Sequence, residues 1–322
     1  MKNIFITRQI PGNAVKTLEE KGYSVTVGKY KTPITERELI KELKKKKYDA
    51  VITLLTDKIG TNIFDASPET KLFSNYSVGY DNFDIVEAKK RNVTLTNVSG
   101  NYVEGVAEHT IALLLTLMSH IVEADSFVRK GKYKGWDPML FIGDNIANKT
   151  IAIIGTGRIG GKVAHKLYLG FGAKIIYYDV VKNESIEKDC NATFVNSIDK
   201  ALAMADIVSI HVPLLPTTHH MINKARLNKM KPSAYLINTS RGAVIDEKAL
   251  VNALKNNEIK GAGLDVYEFE PKLTKGLTKL SNIILSPHIA SAQIETRNEM
   301  SRLVAENVID FLEGKIPKNK IS

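Results

Sequence analysis

Residues 151–167, IAIIGTGRIGGKVAHKL, set three glycines between an apolar run and a helical pattern. Gly155 permits a tight turn, Gly157 lets a pyrophosphate approach the backbone, and Gly160 lets a helix close onto its strand. Arg158 and Ile159 stand between them in the first helical turn, where unpaired N–H groups favour phosphate. A bare G-x-G-x-x-G is a weak signal, but flanked by strand and helix it points to a dinucleotide-binding βαβ unit. The next apolar run, KIIYYD, ends at Asp179, nineteen residues past Gly160. A carboxylate about 20 residues on hydrogen-bonds the adenosine ribose of NAD; the plainer alternative is an ordinary strand-end aspartate. Such a carboxylate repels the extra phosphate of NADP, so NAD is the expected cofactor. Lys182 nearby softens that preference and keeps NADP possible.

The rest of the chain must supply the sheet that such a unit needs. Apolar runs at 3–7, 24–27, 49–55 and 71–74 alternate with helical patterns at 11–21 and 36–47. A second series places strands at 150–154, 174–178, 207–210, 234–238, 261–265 and 282–285, and a final helix at 293–313. Strands alternating with helices give parallel sheets covered on both faces. Between the series, 103–130 reads as one long helix, apolar nearly all round in its first half and so buried there, against the core or a second subunit. A Gly- and Pro-containing loop follows at 131–138. With 322 residues and ~100–200 residues per domain, the expectation is an α/β protein of two such units.

Composition narrows the function classes. Hydrophobic residues at 43% and charged residues at 25% exclude disordered and collagen-like chains. The single cysteine, Cys190, excludes an internal disulfide framework and a zinc site of several thiolates, and it suits a reducing, cytoplasmic setting. The N-terminal apolar run is too short for a secretory signal. The longest apolar stretch, 111–118, falls short of the ~20 residues of a membrane span. The net charge of +10 raises the question of an anionic partner. Lys44–Lys47, however, close a helical pattern, where cations meet the negative end of the macrodipole, and no nucleic-acid-binding motif is present. His219-His220 adjoins no cysteine or carboxylate cluster, so no metal site is expected. His109, His120 and His165 read as packing residues on helices, and His211 at a strand end is open between packing and cofactor contact.

Three later segments concentrate ionisable residues at strand ends: INTSRGAVID, GAGLDVYEFEP and LSPHIAS. The carboxyl ends of parallel strands line the ligand crevice, so Arg241, Glu270 and His288 are expected to face it. Each alone reads as an ordinary surface or packing residue; together, after a dinucleotide turn, they suit hydride transfer to a 2-oxo acid. An arginine binds the substrate carboxylate bidentately. An imidazolium protonates the carbonyl oxygen near neutral pH. A carboxylate beside it orients the ring and favours its charged form.

At these residues the chain resembles the D-isomer-specific 2-hydroxyacid dehydrogenases. SVGYDNFD (77–84), VAEHTIALLL (106–115), GTGRIG, HVPLLPTTHHMIN (211–223), NTSRGAVID, GAGLDVYEFEP and SPHIAS recur in family order over nearly the whole chain. The resemblance implies that Arg241 binds the substrate carboxylate, His288 is the acid/base and Glu270 its partner. It implies Asp265 near the nicotinamide, backbone at Val78 and Gly79 on the substrate carboxylate, and Pro213, Thr218 and Thr239 along the cofactor cleft. It further implies a discontinuous substrate domain, 1–99 with 289–322, into which a cofactor domain, 100–288, is inserted. Residues 135–155 are similar to the glyoxylate/hydroxypyruvate reductase branch, in which a tryptophan matching Trp136 reaches the other subunit's active site; this implies a homodimer. Many reductases of that branch lack an acid where Asp179 stands and use NADP. Sister enzymes acting on D-lactate or 3-phosphoglycerate, and NAD-sensing corepressor scaffolds, share most of these motifs and are the alternatives.

Overall fold

The computed structural model describes residues 1–100 and 103–321. The chain begins with β1 (Asn3–Ile6), α1 (Ala14–Glu20), β2 (Ser24–Val27), α2 (Glu36–Leu43), β3 (Ala50–Thr53), α3 (Thr61–Ala66), β4 (Leu72–Asn75), α4 (Ile85–Lys90) and β5 (Thr94–Thr96). It continues through α5 (Val103–Met118), α6 (Ile121–Arg129), β6 (Thr150–Ile154), α7 (Arg158–Phe171), β7 (Lys174–Tyr178), α8 (Glu184–Cys190) and β8 (Thr193–Phe194). Then come α9 (Ile198–Met204), β9 (Ile207–Ile210), α10 (Lys224–Leu227), β10 (Tyr235–Asn238), α11 (Glu247–Lys255), β11 (Gly261–Leu264), β12 (Ile283–Leu285) and α12 (Ile294–Leu312).

Two compact units result: Met1–Tyr102 with Ala292–Ser322, and Val103–Ser291. The first is a five-stranded sheet in the order β2-β1-β3-β4-β5, the second a seven-stranded sheet in the order β12-β11-β10-β9-β6-β7-β8. Every pairing is parallel. Both are doubly wound orders, and in each the order reverses beside the first strand, opening a crevice at the strands' carboxyl ends.

The period-two alternation of a strand explains how each sheet buries both faces. In β1, Ile4 and Ile6 pack with Leu18 of α1 and with Met300, Leu303, Val304 and Val308 of α12. Phe5, pointing the other way, packs with Leu39 and Leu43 of α2. Thus α12 completes the first unit, and Ser301 accepts the Ala14 N–H at 2.9 Å to fix the start of α1. The second sheet does the same: Ile151 and Ile153 join one core layer, Ala152 and Ile154 the other.

One expectation fails. Residues 103–130 are not a continuous helix: α5 and α6 meet at a 60° bend. His120 sits in the left-handed region at φ 54° and starts α6. Gly143 explains the stop, since a β-carbon there would lie 2.2 Å from the Met118 carbonyl oxygen. That carbonyl instead accepts the Asp144 N–H at 3.2 Å, so an incoming loop takes the acceptor that would have continued the helix. Nine residues of α5 are buried and none of α6. No single described helix is long and apolar enough to cross a membrane.

Candidate active site

Apart from Trp136, the chemistry singled out in the second unit sits at the carboxyl ends of its parallel strands, on one edge of the sheet. After β6, Gly155 adopts φ +91°, and its N–H donates to the Tyr178 carbonyl at 2.9 Å. A β-carbon at Gly160 would stand 2.0 Å from the Gly155 carbonyl oxygen, so α7 starts directly on the turn. At Gly157, by contrast, a β-carbon would meet nothing within 4 Å. The turn is therefore closed behind and open in front, which fits a pyrophosphate approaching the amino end of a 14-residue helix. Arg158 is exposed at the first position of α7, while Ile159 leans on the core.

Asp179 closes one side of this cradle. Its Oδ2 accepts the Thr156 N–H at 2.6 Å and the Thr156 hydroxyl at 3.0 Å, and its Oδ1 accepts the Val180 N–H at 2.7 Å. The carboxylate is thereby fixed beside the turn, on a cleft of about 460 Å3 that Gly157, Lys182 and Asn183 also line. Lys182 stands 5.4 Å over the Phe194 ring, a cation–π position. His211, open from sequence, is a packing residue: its carbonyl carbon would lie 2.9 Å from a β-carbon at Gly155. Desolvation pushes its imidazole down to about 3, so it stays neutral, 2.8 Å from the Ser209 hydroxyl. Thr218 is buried, its hydroxyl donating to the Pro213 carbonyl at 2.6 Å and accepting the Leu215 N–H at 2.8 Å. That hydroxyl shapes the loop after β9, while Pro213 is exposed on it.

Glu270 and His288, eighteen residues apart, meet: His288 Nδ1 lies 2.9 Å from Glu270 Oε2. Glu270 Oε1 accepts the Tyr267 N–H at 2.9 Å, which fixes the carboxylate plane. His288 takes a left-handed backbone, φ 54°, which costs a non-glycine residue about 1–2 kcal/mol. The surroundings hold it there, because its N–H donates to the Asp265 carbonyl at 2.9 Å. Arg241 follows β10 on a loop tied by Asn238, whose Nδ2 donates to the Arg241 carbonyl at 2.9 Å. Gly242 lets that loop cross the other, for a β-carbon there would stand 1.9 Å from the Tyr267 carbonyl carbon. The Arg241 loop and the Glu270 loop are thus packed backbone to backbone.

Asp265 is wholly buried. Its carboxylate accepts the Ser286 hydroxyl at 2.6 Å and the Ile289 and Ala290 N–H groups at 2.9 and 2.8 Å. Burial pushes this carboxyl up, and hydrogen bonds from His109, Ser286, Ile289 and Ala290 outweigh it, leaving it below the ordinary carboxylate value. Both oxygens thus serve the loop that carries His288. Tyr267, pushed up to about 12 by burial and by Asp265, Glu247 and Glu270, stays protonated and donates to the Ser286 carbonyl at 2.8 Å.

Sequence reasoning missed His109, Ser286 and Tyr267 as parts of this site. His109 was legible only as a helical packing residue, yet its Nε2 lies 3.1 Å from Ser286 Oγ across 177 residues of chain. His220, of the histidine pair, bonds Glu268 at 2.8 Å. Val78 and Gly79 belong to the first unit, where Asn97 Nδ2 donates to the Val78 carbonyl at 2.7 Å and Asn75 Nδ2 to the Gly79 carbonyl at 2.9 Å. Trp136 is 83% exposed on the loop after α6.

Known proteins carry the same design. The sequence signature of the D-isomer specific 2-hydroxyacid dehydrogenase, NAD binding domain, matches residues 111–290. The chain is 45% identical over 323 residues to the glyoxylate reductase of Thermococcus litoralis, covering 99% of this chain and 96% of that one. It is 43% identical over 321 residues to the glyoxylate reductase of Korarchaeum cryptofilum, covering 99% and 95%. Among solved structures, an NADPH-dependent glyoxylate/hydroxypyruvate reductase from Sinorhizobium meliloti, in complex with NADP and malonate, superimposes with a TM-score of 0.86 at 28% identity, covering 100% of this chain and 97% of that one. Strand order, glycine turn and full-length identity agree, and this chain belongs to the D-isomer-specific 2-hydroxyacid dehydrogenases.

Proposed function

We propose that this protein reduces a small 2-oxo acid, glyoxylate or hydroxypyruvate, to the 2-hydroxy acid with NADH or NADPH. The observation that carries the reading is the 2.9 Å bond between His288 Nδ1 and Glu270 Oε2 on the sheet edge that also bears the glycine turn. Glu270 engages Nδ1 and so fixes the ring, which leaves Nε2 as the nitrogen that exchanges a proton with substrate. The glycine turn would hold the cofactor's pyrophosphate, and the reduced nicotinamide would supply the hydride that the carbonyl carbon gains. His288 delivers the proton that the carbonyl oxygen gains, and Arg241 holds the substrate carboxylate by its planar fork. Asp265 acts from beneath, holding the loop that carries His288 through Ser286, Ile289 and Ala290, and would lie near the nicotinamide. Thr239, following β10, lies on the wall of the cofactor cleft with Pro213 and Thr218. In the oxidative direction the neutral His288 accepts the alcohol proton.

On this reading the unit Val103–Ser291 binds the cofactor, and Val78 and Gly79 of the discontinuous unit offer backbone N–H groups of a kind that suits a substrate carboxylate. Asp179, beside the turn, favours NAD, and Lys182 leaves NADP admissible. The apolar side chains of Ile121, Val122, Val128, Met139 and Ile142 are exposed on α6 and its following loop. They support a homodimer in which Trp136 reaches the active site of the other subunit. With Cys190 its single cysteine, the chain forms no internal disulfide, which suits a reducing, cytoplasmic setting.

The test is to mix purified protein with NADH or NADPH and, in turn, glyoxylate, hydroxypyruvate, pyruvate and phenylpyruvate, following the loss of reduced-cofactor absorbance. Turnover should be fastest with glyoxylate or hydroxypyruvate. Its absence with every 2-oxo acid would overturn the reading.

A further inference from the structure

The two loops that carry the ionisable residues rest on consecutive side chains of one helix. α5 packs across β10, β11 and β12, and successive helical residues point about 100° apart, so neighbours in sequence reach different strands. His109 Nε2 lies 3.1 Å from Ser286 Oγ and 3.3 Å from Asp265 Oδ1. Ser286 already spends its single proton on Asp265 Oδ1 at 2.6 Å. An ionised carboxylate only accepts, so His109 Nε2 must carry the hydrogen and donate to both. Through Asp265 the same linkage reaches the Ile289 and Ala290 N–H groups, directly after His288.

Thr110 does the equivalent for the neighbouring strand. Its hydroxyl donates to the Val106 carbonyl at 2.8 Å, which leaves its oxygen to accept from Thr239 Oγ1, also at 2.8 Å. Thr239 is two residues before Arg241, in the loop that Asn238 ties down. A left-handed histidine backbone persists only where its surroundings over-determine it. The His109 linkage supplies part of that determination from an element outside the loop.

We propose that His109 and Thr110 are positioning residues of the reaction: His109 sets the His288 loop through Ser286 and Asp265, and Thr110 sets the Arg241 loop through Thr239. The inference rests on the reductase reading given above. It assigns the two residues separable effects, because His288 moves a proton in the chemical step whereas Arg241 binds substrate.

The experiment compares H109L and H109Q, T110V and T110S, and the unaltered protein, measuring kcat, KM for the 2-oxo acid, cofactor Kd and Tm. H109L should lower kcat about tenfold to a hundredfold, as a misplacement near 1 Å does, with cofactor Kd changed less than about threefold. H109Q should recover most of the loss, since its amide Nε2 replaces the lost donor. T110V should raise KM more than it lowers kcat, and T110S should restore KM. Wild-type kcat in H109L overturns the proposal, as does a loss equally deep in H109Q, or the same kcat and KM pattern in H109L and T110V. Amide exchange keeps the two readings apart if the unaltered protein turns over no 2-oxo acid. Faster exchange at Ile289 and Ala290 in H109L then upholds the brace on the loop, and unchanged exchange overturns it.

Discussion

Both units place candidate functional loops at the carboxyl ends of parallel strands, but they furnish them with opposite chemistry. The unit Val103–Ser291 presents charged or titrating side chains there: Asp179, Arg241, Asp265, Glu270 and His288. The first unit presents amides. Asn97 and Asn75 grip the carbonyls of Val78 and Gly79, and Asn82 Nδ2 donates to the Asp57 carbonyl at 2.8 Å while its Oδ1 accepts from Asn75 Nδ2 at 3.0 Å. Even the buried carboxylate of that network, Asp57, is turned inward, accepting the Thr7 hydroxyl at 2.5 Å and the Leu54 N–H at 2.8 Å. A side chain that must move a proton has to be held in one orientation, and a carboxylate on Nδ1, as Glu270 is on His288, does that for an imidazole. A backbone N–H that only holds a carboxylate needs its peptide plane fixed, and a neutral amide on the carbonyl does that without adding a competing charge.

Substitutions in the two units should therefore fail in different ways. The largest effect is expected for His288→Gln, which keeps the shape but cannot carry the proton. Removal of general acid catalysis costs about 10²–10⁴ in kcat, while NADH titration by fluorescence should show cofactor affinity nearly unchanged. An equal loss of both would deny His288 its separate role in proton transfer. In the first unit, Asn97→Ala frees the Val78 carbonyl and should weaken substrate rather than chemistry. The expected KM rises about tenfold, the loss of one hydrogen bond of ~1 kcal/mol or somewhat more, with kcat held within about threefold. A kcat collapse like that of His288→Gln would erase the contrast between the units.

Smaller effects sharpen the same comparison. Asp179→Ala should weaken NADH more than NADPH, shifting the ratio of their Kd values by about tenfold or more, the weight of a charge-assisted hydrogen bond of ~1.5 kcal/mol or above. An unchanged ratio would remove Asp179 from ribose recognition. The smallest is Asp57→Asn. Burial raises the Asp57 carboxyl, against hydrogen bonds from Thr7, Leu54 and Thr56 that lower it. Its folded form thus holds a proton that the unfolded chain has released. Between the ordinary carboxylate value and the raised one, stability falls as pH rises. Asp57→Asn should flatten that slope in thermal melts run across the acid range, with Tm at neutral pH moved by no more than ~2–4 °C. A slope identical to the unaltered protein would mean that Asp57 does not titrate in that window.

Much of this was legible in the chain. β6, β7 and β9 coincide with the runs at 150–154, 174–178 and 207–210, because buried parallel strands are largely continuous apolar segments with clear ends. β5 and β8 were not seen, being three and two residues long, too short to show a period. The break at His120 was invisible because α5 and α6 both keep helical composition, and the residue that ends α5, Gly143, lies in a loop more than twenty residues on. The glycine turn was clear because the need it meets, backbone approach without a β-carbon, is local.

The sequence by itself determined the two α/β series, the turn at Gly155, Gly157 and Gly160, and which residue types stand at strand ends. Each follows from interactions within a few residues, or from motifs whose order carries their meaning. Only the tertiary structure decided the pairings. The segment EFEP holds two glutamates, and the fold turns Glu270 to His288 and Glu268 to His220. It also makes His109, which reads as helix packing, the donor to a serine 177 positions away. Such choices depend on which strands lie side by side and how a helix is rotated across them, and no local period encodes that.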